Sequence, residues 1–321
     1  MEVDKLKRTH FFIGTGGVGK TTLASIFAMK LAKENPESKI KLVTIDPSNR
    51  LRSFFNIDDN KNEIQVDNLQ VNLNDRSALL KDFVIRAAKR KKVDPELIFS
   101  NKLFSTLMDG LAVSQEFSSL YELCSSHKSG KFDFVVIDTP PLQNTSDFLK
   151  SSEILEDFFS STLAKFFLSQ DKQGLLFKVV NSARRTSLKV LASLTGSDFV
   201  DELAYFFKVV EVLRIDLLKI LNLSQDILKN EASVYTVCNA NELSLCGLRV
   251  ALKNLSTNEL NLEKCIINQF DPAKVNIRTQ GKINDLKKTF PDLEYVQVPY
   301  LKNELSEYKD LVKCLDDVKF E

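Results

Sequence analysis

The chain lacks a cysteine cluster, an excess of charge of one sign and a long apolar stretch, and each absence removes a class of function. Its five cysteines (Cys124, Cys238, Cys246, Cys265 and Cys314) are scattered and form no C-x-x-C. Neither a zinc spacing nor a disulfide framework is present, so the thiols read as small buried core residues. Lys plus Arg (44) nearly cancels Asp plus Glu (43). Without a global field, binding to nucleic acid or to an anionic membrane is not expected. No run of 18 apolar residues occurs, so no membrane span is expected. The charged stretch Met1 to His10 leads straight into an apolar run, which argues against a secretory signal and for a cytoplasmic protein. No repeat or low-complexity linker interrupts the 321 residues, and their 43% hydrophobic content is ample for a core. Residues 1–321 therefore read as one domain.

What is present starts close to the N-terminus. Gly14-Thr15-Gly16-Gly17-Val18-Gly19-Lys20-Thr21-Thr22 fits the pattern G-x-x-x-x-G-K-[ST]. It follows the apolar run Phe11-Phe12-Ile13 and precedes an amphipathic stretch, the strand–loop–helix setting of a phosphate-binding loop. Glycines let the backbone turn so that successive N–H groups face a phosphate at a helix N-terminus. Lys20 is expected to reach the β- and γ-phosphates, and the Thr21 hydroxyl to join the shell of a Mg²⁺ ion. The chain is expected to bind a nucleoside triphosphate.

Further strands are predicted at 40–45, 64–73, 134–137, 234–238, 264–267 and 295–298. Helices are predicted after the loop to about Asn35-Pro36, and at 241–256, 278–289 and 302–316. The last of these places Leu301, Leu305, Tyr308, Val312 and Leu315 on one side, read as core packing. Alternation at this spacing predicts an α/β fold, a doubly wound and mostly parallel sheet. Two longer helical blocks, about 75–130 and 148–232, are read as a helical subdomain. The second block is crowded with Phe158, Phe159, Phe166, Phe167, Phe177, Phe199, Phe206 and Phe207. Core packing is the plain reading; an apolar groove for a hydrophobic client or partner helix is the sharper one.

Ligands of such sheets sit beyond the carboxyl ends of the strands. Two predicted strands end there in a carboxylate, Asp46 and Asp138. Asp138 is expected to hold Mg²⁺ directly or through water, and Asp46 to orient or deprotonate the attacking water near the metal. Asn268, after the strand at 264–267, is a candidate to bond adenine. Asn268-Gln269-Phe270-Asp271 also resembles a guanine-reading N-K-x-D, but Gln269 lacks the lysine stem that packs along the base, so ATP is favoured over GTP.

These motifs together resemble the ArsA/GET ATPases, the arsenical-pump and tail-anchored-protein-targeting family. The resemblance rests on G-G-V-G-K-T-T, on Ile45-Asp46-Pro47 and on Val136-Ile137-Asp138-Thr139-Pro140-Pro141, and it runs through most of the chain. It implies that Asp46-Pro47-Ser48 is a first switch, that Asp138 to Leu149 is a second, that Asn268 reads the base and that Val298-Pro299 is where the last strand meets the nucleotide. It also implies ATP, Mg²⁺ and a dimer. Ala112 to Phe117 and the string from Asp138 to Leu149 resemble a bacterial branch of the family.

The departures matter as much. The family loop reads G-K-G-G-V-G-K-T, and its first Lys reaches a partner's phosphates; here that position is Thr15, as the bacterial branch has Ser. A cation delivered in trans is worth about 10³–10⁵ in rate in related enzymes, so hydrolysis is expected to be slow, or Arg50 or a non-identical partner subunit supplies the charge. The family's E-T-x-R helix signature is reduced to Arg249, with Gly247 near the Glu position. The absent C-x-x-C argues against a zinc-linked homodimer, and without a cysteine cluster arsenite binding and pump duty are not expected. Only Met1, Met29 and Met108 are present, against the Met-rich groove of the targeting factors. The expectation is a dimeric ATP-dependent switch, homodimer or heterodimer with a related ATPase. A non-hydrolysing nucleotide-bound scaffold, a membrane- or DNA-associated positioning ATPase and a small-molecule kinase are the open alternatives.

Overall fold

The computed structural model describes residues 6–44, 50–105, 115–139, 197–257, 260–301, 305 and 307–320. Along the chain run β1 (Thr9–Gly14), α1 (Lys20–Glu34), β2 (Ile40–Thr44), α2 (Arg50–Phe54), β3 (Glu63–Val66) and β4 (Leu69–Leu73). There follow α3 (Arg76–Arg90), α4 (Pro95–Ser100), α5 (Gln115–Ser129), β5 (Phe134–Asp138) and α6 (Ser197–Asp226). The C-terminal part alternates β6 (Ala232–Asn239), α7 (Glu242–Thr257), β7 (Leu262–Phe270), α8 (Ile277–Thr289), β8 (Glu294–Pro299) and α9 (Tyr308–Lys313).

The strands form one eight-stranded sheet in the order β3-β4-β2-β5-β1-β6-β7-β8. Every neighbouring pair is parallel except β3 with β4. The doubly wound α/β architecture read from the sequence is thus the one observed. The inner strands β1, β2 and β5 are near-continuous apolar runs because helices cover both of their faces. On one face α1 buries Leu23, Ile26, Phe27 and Leu31 against Phe12, Leu42, Val136 and Tyr235, joined by Leu311, Val318 and Phe320 of the C-terminal segment. A second cluster packs Leu245, Leu248 and Leu252 of α7 and Ile283 and Leu286 of α8 against Cys238 and Ile267. All described cysteines are free, and four of the five are buried.

Two compact units are distinguished. One gathers the described residues of Met1–Arg76, Gln115–Leu149 and Leu223–Glu321 and carries the whole sheet. The other gathers the described residues of Ser77–Ser114 and Lys150–Asn222 and is helical. In it, Leu80, Phe83, Val84, Ala87 and Ala88 line the buried stripe of α3. Asn101 Nδ2 donates to the Glu202 carbonyl at 3.0 Å, and Glu202 accepts from the Lys102 N–H at 2.8 Å. Of the phenylalanines crowding the second block, 158 to 177 lie outside the described residues. Phe207 is buried against Phe206 at 5.4 Å between ring centroids, while Phe199 is exposed. Among the described residues no helix is long and apolar enough to cross a membrane.

Local expectations need two corrections. Residues 64–73 read as one strand but form a hairpin, because the register Val66↔Leu69 leaves Asp67-Asn68 as a two-residue loop. Asp67 takes φ 51, a left-handed conformation that Asp tolerates better than most residues. The final helix begins at Tyr308, because Glu307 and Asp310 form a reciprocal capping box. Leu315 is buried and Leu301, Leu305 and Tyr308 pack against the core as expected, whereas Val312 is exposed and Leu311 is buried in its stead.

Candidate functional site

The glycine-rich loop joins β1 to α1, and the sheet register dictates where glycine is needed. Gly14 is the Cα partner of Val237 on β6, and a Cβ on it would stand 2.3 Å from the Val237 carbonyl oxygen. Gly19 caps α1 at φ 90, and a Cβ there would stand 2.3 Å from Asn268 Nδ2. Only glycine fits either place, and the result is a backbone cradle at the N-terminus of a 15-residue helix with no acidic residue in its first turn. The helix dipole and the N–H groups of the first turn favour an anion.

The side chains of the loop converge as their order in the sequence requires. Val18 is buried as the loop's anchor. Lys20 is buried, and its Nζ donates to the Thr15 carbonyl at 2.9 Å, so the ammonium lies along its own loop. Thr21 Oγ1 donates to Asp138 Oδ2 at 2.8 Å. Thr44 Oγ1, from the end of β2, donates to the same oxygen at 2.9 Å. Asp138 is fully buried at the end of β5. Next to it, Thr139 Oγ1 donates to the Phe12 carbonyl at 2.8 Å and ties the exit of β5 to β1.

A cleft of about 590 Å³ opens beside the loop, large enough for part of a nucleotide. Gly17, Gly19 and Thr22 of the loop and α1 line it, together with Asn268, Pro299 and Tyr300. Arg50 is the one charged side chain among the described residues lining it. Asn268, expected from the resemblance to read the base, also donates Nδ2–H to the Val18 carbonyl at 2.8 Å. Its amide therefore braces the loop as well as bordering the cleft. Gly16 is exposed on the loop, and Thr15 approaches α7, where a Cβ on Gly247 would lie 3.5 Å from Thr15 Cγ2. Asp46, Pro47 and Ser48 lie outside the described residues, as does the second switch string beyond Thr139.

The donor set tests which groups suit the site. The glycine-rich backbone turn at the start of α1 suits a phosphate, and the Thr21 hydroxyl beside the Asp138 carboxylate offers hard oxygens to a hard cation. Among the described residues no three His, Cys, Asp or Glu side chains gather as a metal cage. A Mg²⁺ ion is commonly held in just this way, by one or two protein oxygens together with water and substrate phosphates. Thr44 was not legible as a site residue, because only the pairing Thr44↔Asp138 puts it beside the carboxylate.

The model of a family described as anion-transporting ATPase matches residues 7–318. An Aquifex aeolicus (strain VF5) protein named as an arsenical pump-driving ATPase is 26% identical over 315 residues, covering 95% of this chain and 96% of that protein. The ATPase get3 of Aspergillus terreus is 24% identical over 326 residues, covering 97% of this chain and 90% of that protein. The get3 ATPase of Aspergillus niger is 25% identical over 329 residues with the same coverage.

Proposed function

The chain belongs to the anion-transporting ATPase family, and on that premise we propose that it binds ATP with Mg²⁺ and hydrolyses it slowly as a molecular switch. The observation that carries this reading is the 2.8 Å bond from Thr21 to Asp138, at the foot of a loop in which a Cβ on Gly14 or Gly19 would stand 2.3 Å from a neighbouring atom. The relatives' names, all ATPases, support it.

In this reading the N–H groups of residues 14–19 and Lys20 hold the phosphate chain, and the Lys20 ammonium leaves the Thr15 carbonyl for the substrate. Thr21 and Asp138 would hold the cation, which when bound neutralises charge on the β- and γ-oxygens. Asp46 orients the attacking water and helps at the metal. Asn268 and Pro299 border the base, with adenine preferred over guanine because Gln269 replaces lysine. Arg50, which lines the cleft, supplies positive charge that offsets the cation missing at Thr15. Ordering of the Asp46 and Asp138 segments by the substrate would move the helical block of about 75–130 and 148–232. A second copy or a related ATPase completes a dimer, and a hydrophobic client or partner helix docks on the Phe-rich block. The protein acts in the cytoplasm.

Titration calorimetry with ATP and Mg²⁺ tests the binding step. Saturable binding that is weakened in Lys20→Ala supports the reading, and no binding by the wild type refutes it. One observation favours a second reading: with Thr15 in place of a cation, the chain is a scaffold that binds ATP and does not turn it over.

A further inference from the structure

Thr44 occupies a place where the surrounding sequence calls for an aliphatic residue. It ends a strand reading Ile-Lys-Leu-Val-Thr, is 1% exposed, and lies beside the equally buried end of β5. A hydroxyl in such a position is a cost unless it is bonded, and valine would fit the strand at least as well. The register answers why a hydroxyl is there. Thr44 and Asp138 are Cα partners on adjacent parallel strands, so their side chains leave the sheet on the same face. That face is the one covered by α1, which brings Thr21. Two hydroxyls, from different elements, thus donate to one oxygen: Thr21 at 2.8 Å and Thr44 at 2.9 Å, both to Asp138 Oδ2.

We infer that Thr44 is a positioning residue for the cation site: its hydroxyl locks the Asp138 carboxylate in the orientation that accepts Mg²⁺ alongside ATP. The inference rests on the proposed reading of the site as a Mg²⁺–ATP site and adds a residue to it. With Thr21 alone, the carboxyl group can turn about its Cβ–Cγ bond while keeping one hydrogen bond. With a second donor fixed on β2, rotation breaks a charge-assisted bond, the stronger kind. Thr44 is itself held from the other side, since its carbonyl accepts the Asn74 N–H at 2.9 Å. The donor to Asp138 is therefore anchored to the sheet rather than to the loop, and it stays in place when Thr21 turns toward a ligand.

The test is the ratio of ATP dissociation constants measured without and with Mg²⁺, read by equilibrium binding of a fluorescent ATP analogue. Using the ratio within each variant cancels any difference in the folded fraction. Thr44→Val and Thr44→Ala are expected to lower the wild-type ratio by about tenfold or more, the scale of a hydrogen bond to a charged group. Thr44→Ser, which keeps the hydroxyl, is expected to restore most of it. In all three the affinity for ATP in EDTA stays near that of the wild type. A ratio unchanged in both Thr44→Val and Thr44→Ala overturns the proposal while leaving the nucleotide reading intact. A wild type whose ATP affinity is indifferent to Mg²⁺ overturns the underlying reading and the proposal with it.

Discussion

Alanine at Gly14 would place its methyl carbon 2.3 Å from the Val237 carbonyl oxygen, a backbone atom with little freedom to retreat. Gly14→Ala is therefore expected to lower stability by about 1–3 kcal/mol, the usual scale of overpacking, read from urea unfolding. Arg50 is exposed and lines the cleft as its one charged side chain among the described residues. Arg50→Ala is expected to weaken ATP by about 3- to 10-fold and adenosine hardly at all, as loss of one solvent-screened charge contact implies. Equal weakening of both ligands by calorimetry would assign Arg50 to packing rather than to phosphate. At this scale the phosphate loop was legible because its residues are contiguous and their spacing is itself the chemistry. Thr44 was not, because a threonine ending an apolar strand looks like any β-branched residue until its neighbour across the sheet is known. The bracing role of Asn268 was hidden for the same reason: its partner, Val18, is 250 positions away.

Between elements, the clearest tie is a mostly buried ion pair. Lys41 Nζ of β2 lies 2.8 Å from Glu122 Oε1 of α5, and Asn74 Nδ2 donates to Glu122 Oε2 at 2.6 Å. Ser126 bonds both partners, and Asn74 in turn reaches back to β2 through Thr44. Replacing Lys41 with Met strands the Glu122 carboxylate in the interior, and about 3–5 kcal/mol of stability is expected to go with it. Lys41→Met combined with Glu122→Met should recover much of that loss, because no charge is left buried. A double variant less stable than Lys41→Met by denaturant unfolding would show that packing, not charge, sets the cost. The strands that flank the loop were readable as unbroken apolar runs, a pattern that burial on both faces imposes. The β3–β4 hairpin was not, since period-two alternation continues across Asp67-Asn68 and says nothing about where the chain reverses. The late start of α9 depends on a capping box whose carboxylates, Glu307 and Asp310, look in the sequence like any acidic surface pair.

For the molecule as a whole, the buried His10 makes stability depend on pH. It lies on β1 among the rings of Phe27, Phe134 and Tyr235, with the Phe27 centroid 4.7 Å away. Burial pushes its pKa from the ordinary 6.5 down to about 3, against a smaller opposing effect of a backbone hydrogen bond at Lys7. Between those two values the unfolded chain carries a proton on His10 that the folded chain does not. The contribution is therefore complete above pH 6.5 and declines as the pH falls toward 3, by up to about 1.4 kcal/mol per pH unit. His10→Leu is expected to flatten the slope of unfolding free energy between pH 4 and 6 by that amount, whatever its effect on stability at neutral pH. An unchanged slope would mean that the imidazole is not held neutral.

The loop and Asp138 are proposed to form a working ATPase rather than a nucleotide-bound scaffold. The most direct measurement is single-turnover hydrolysis, with protein in excess over γ-labelled ATP and Mg²⁺ present, comparing wild type with Lys20→Ala. Slow, complete release of labelled phosphate is expected from the wild type, and release at least about 100-fold slower from Lys20→Ala, as loss of a preorganised charge at the transferring phosphoryl implies. Wild-type protein that binds the labelled ATP and returns it intact would contradict the claim.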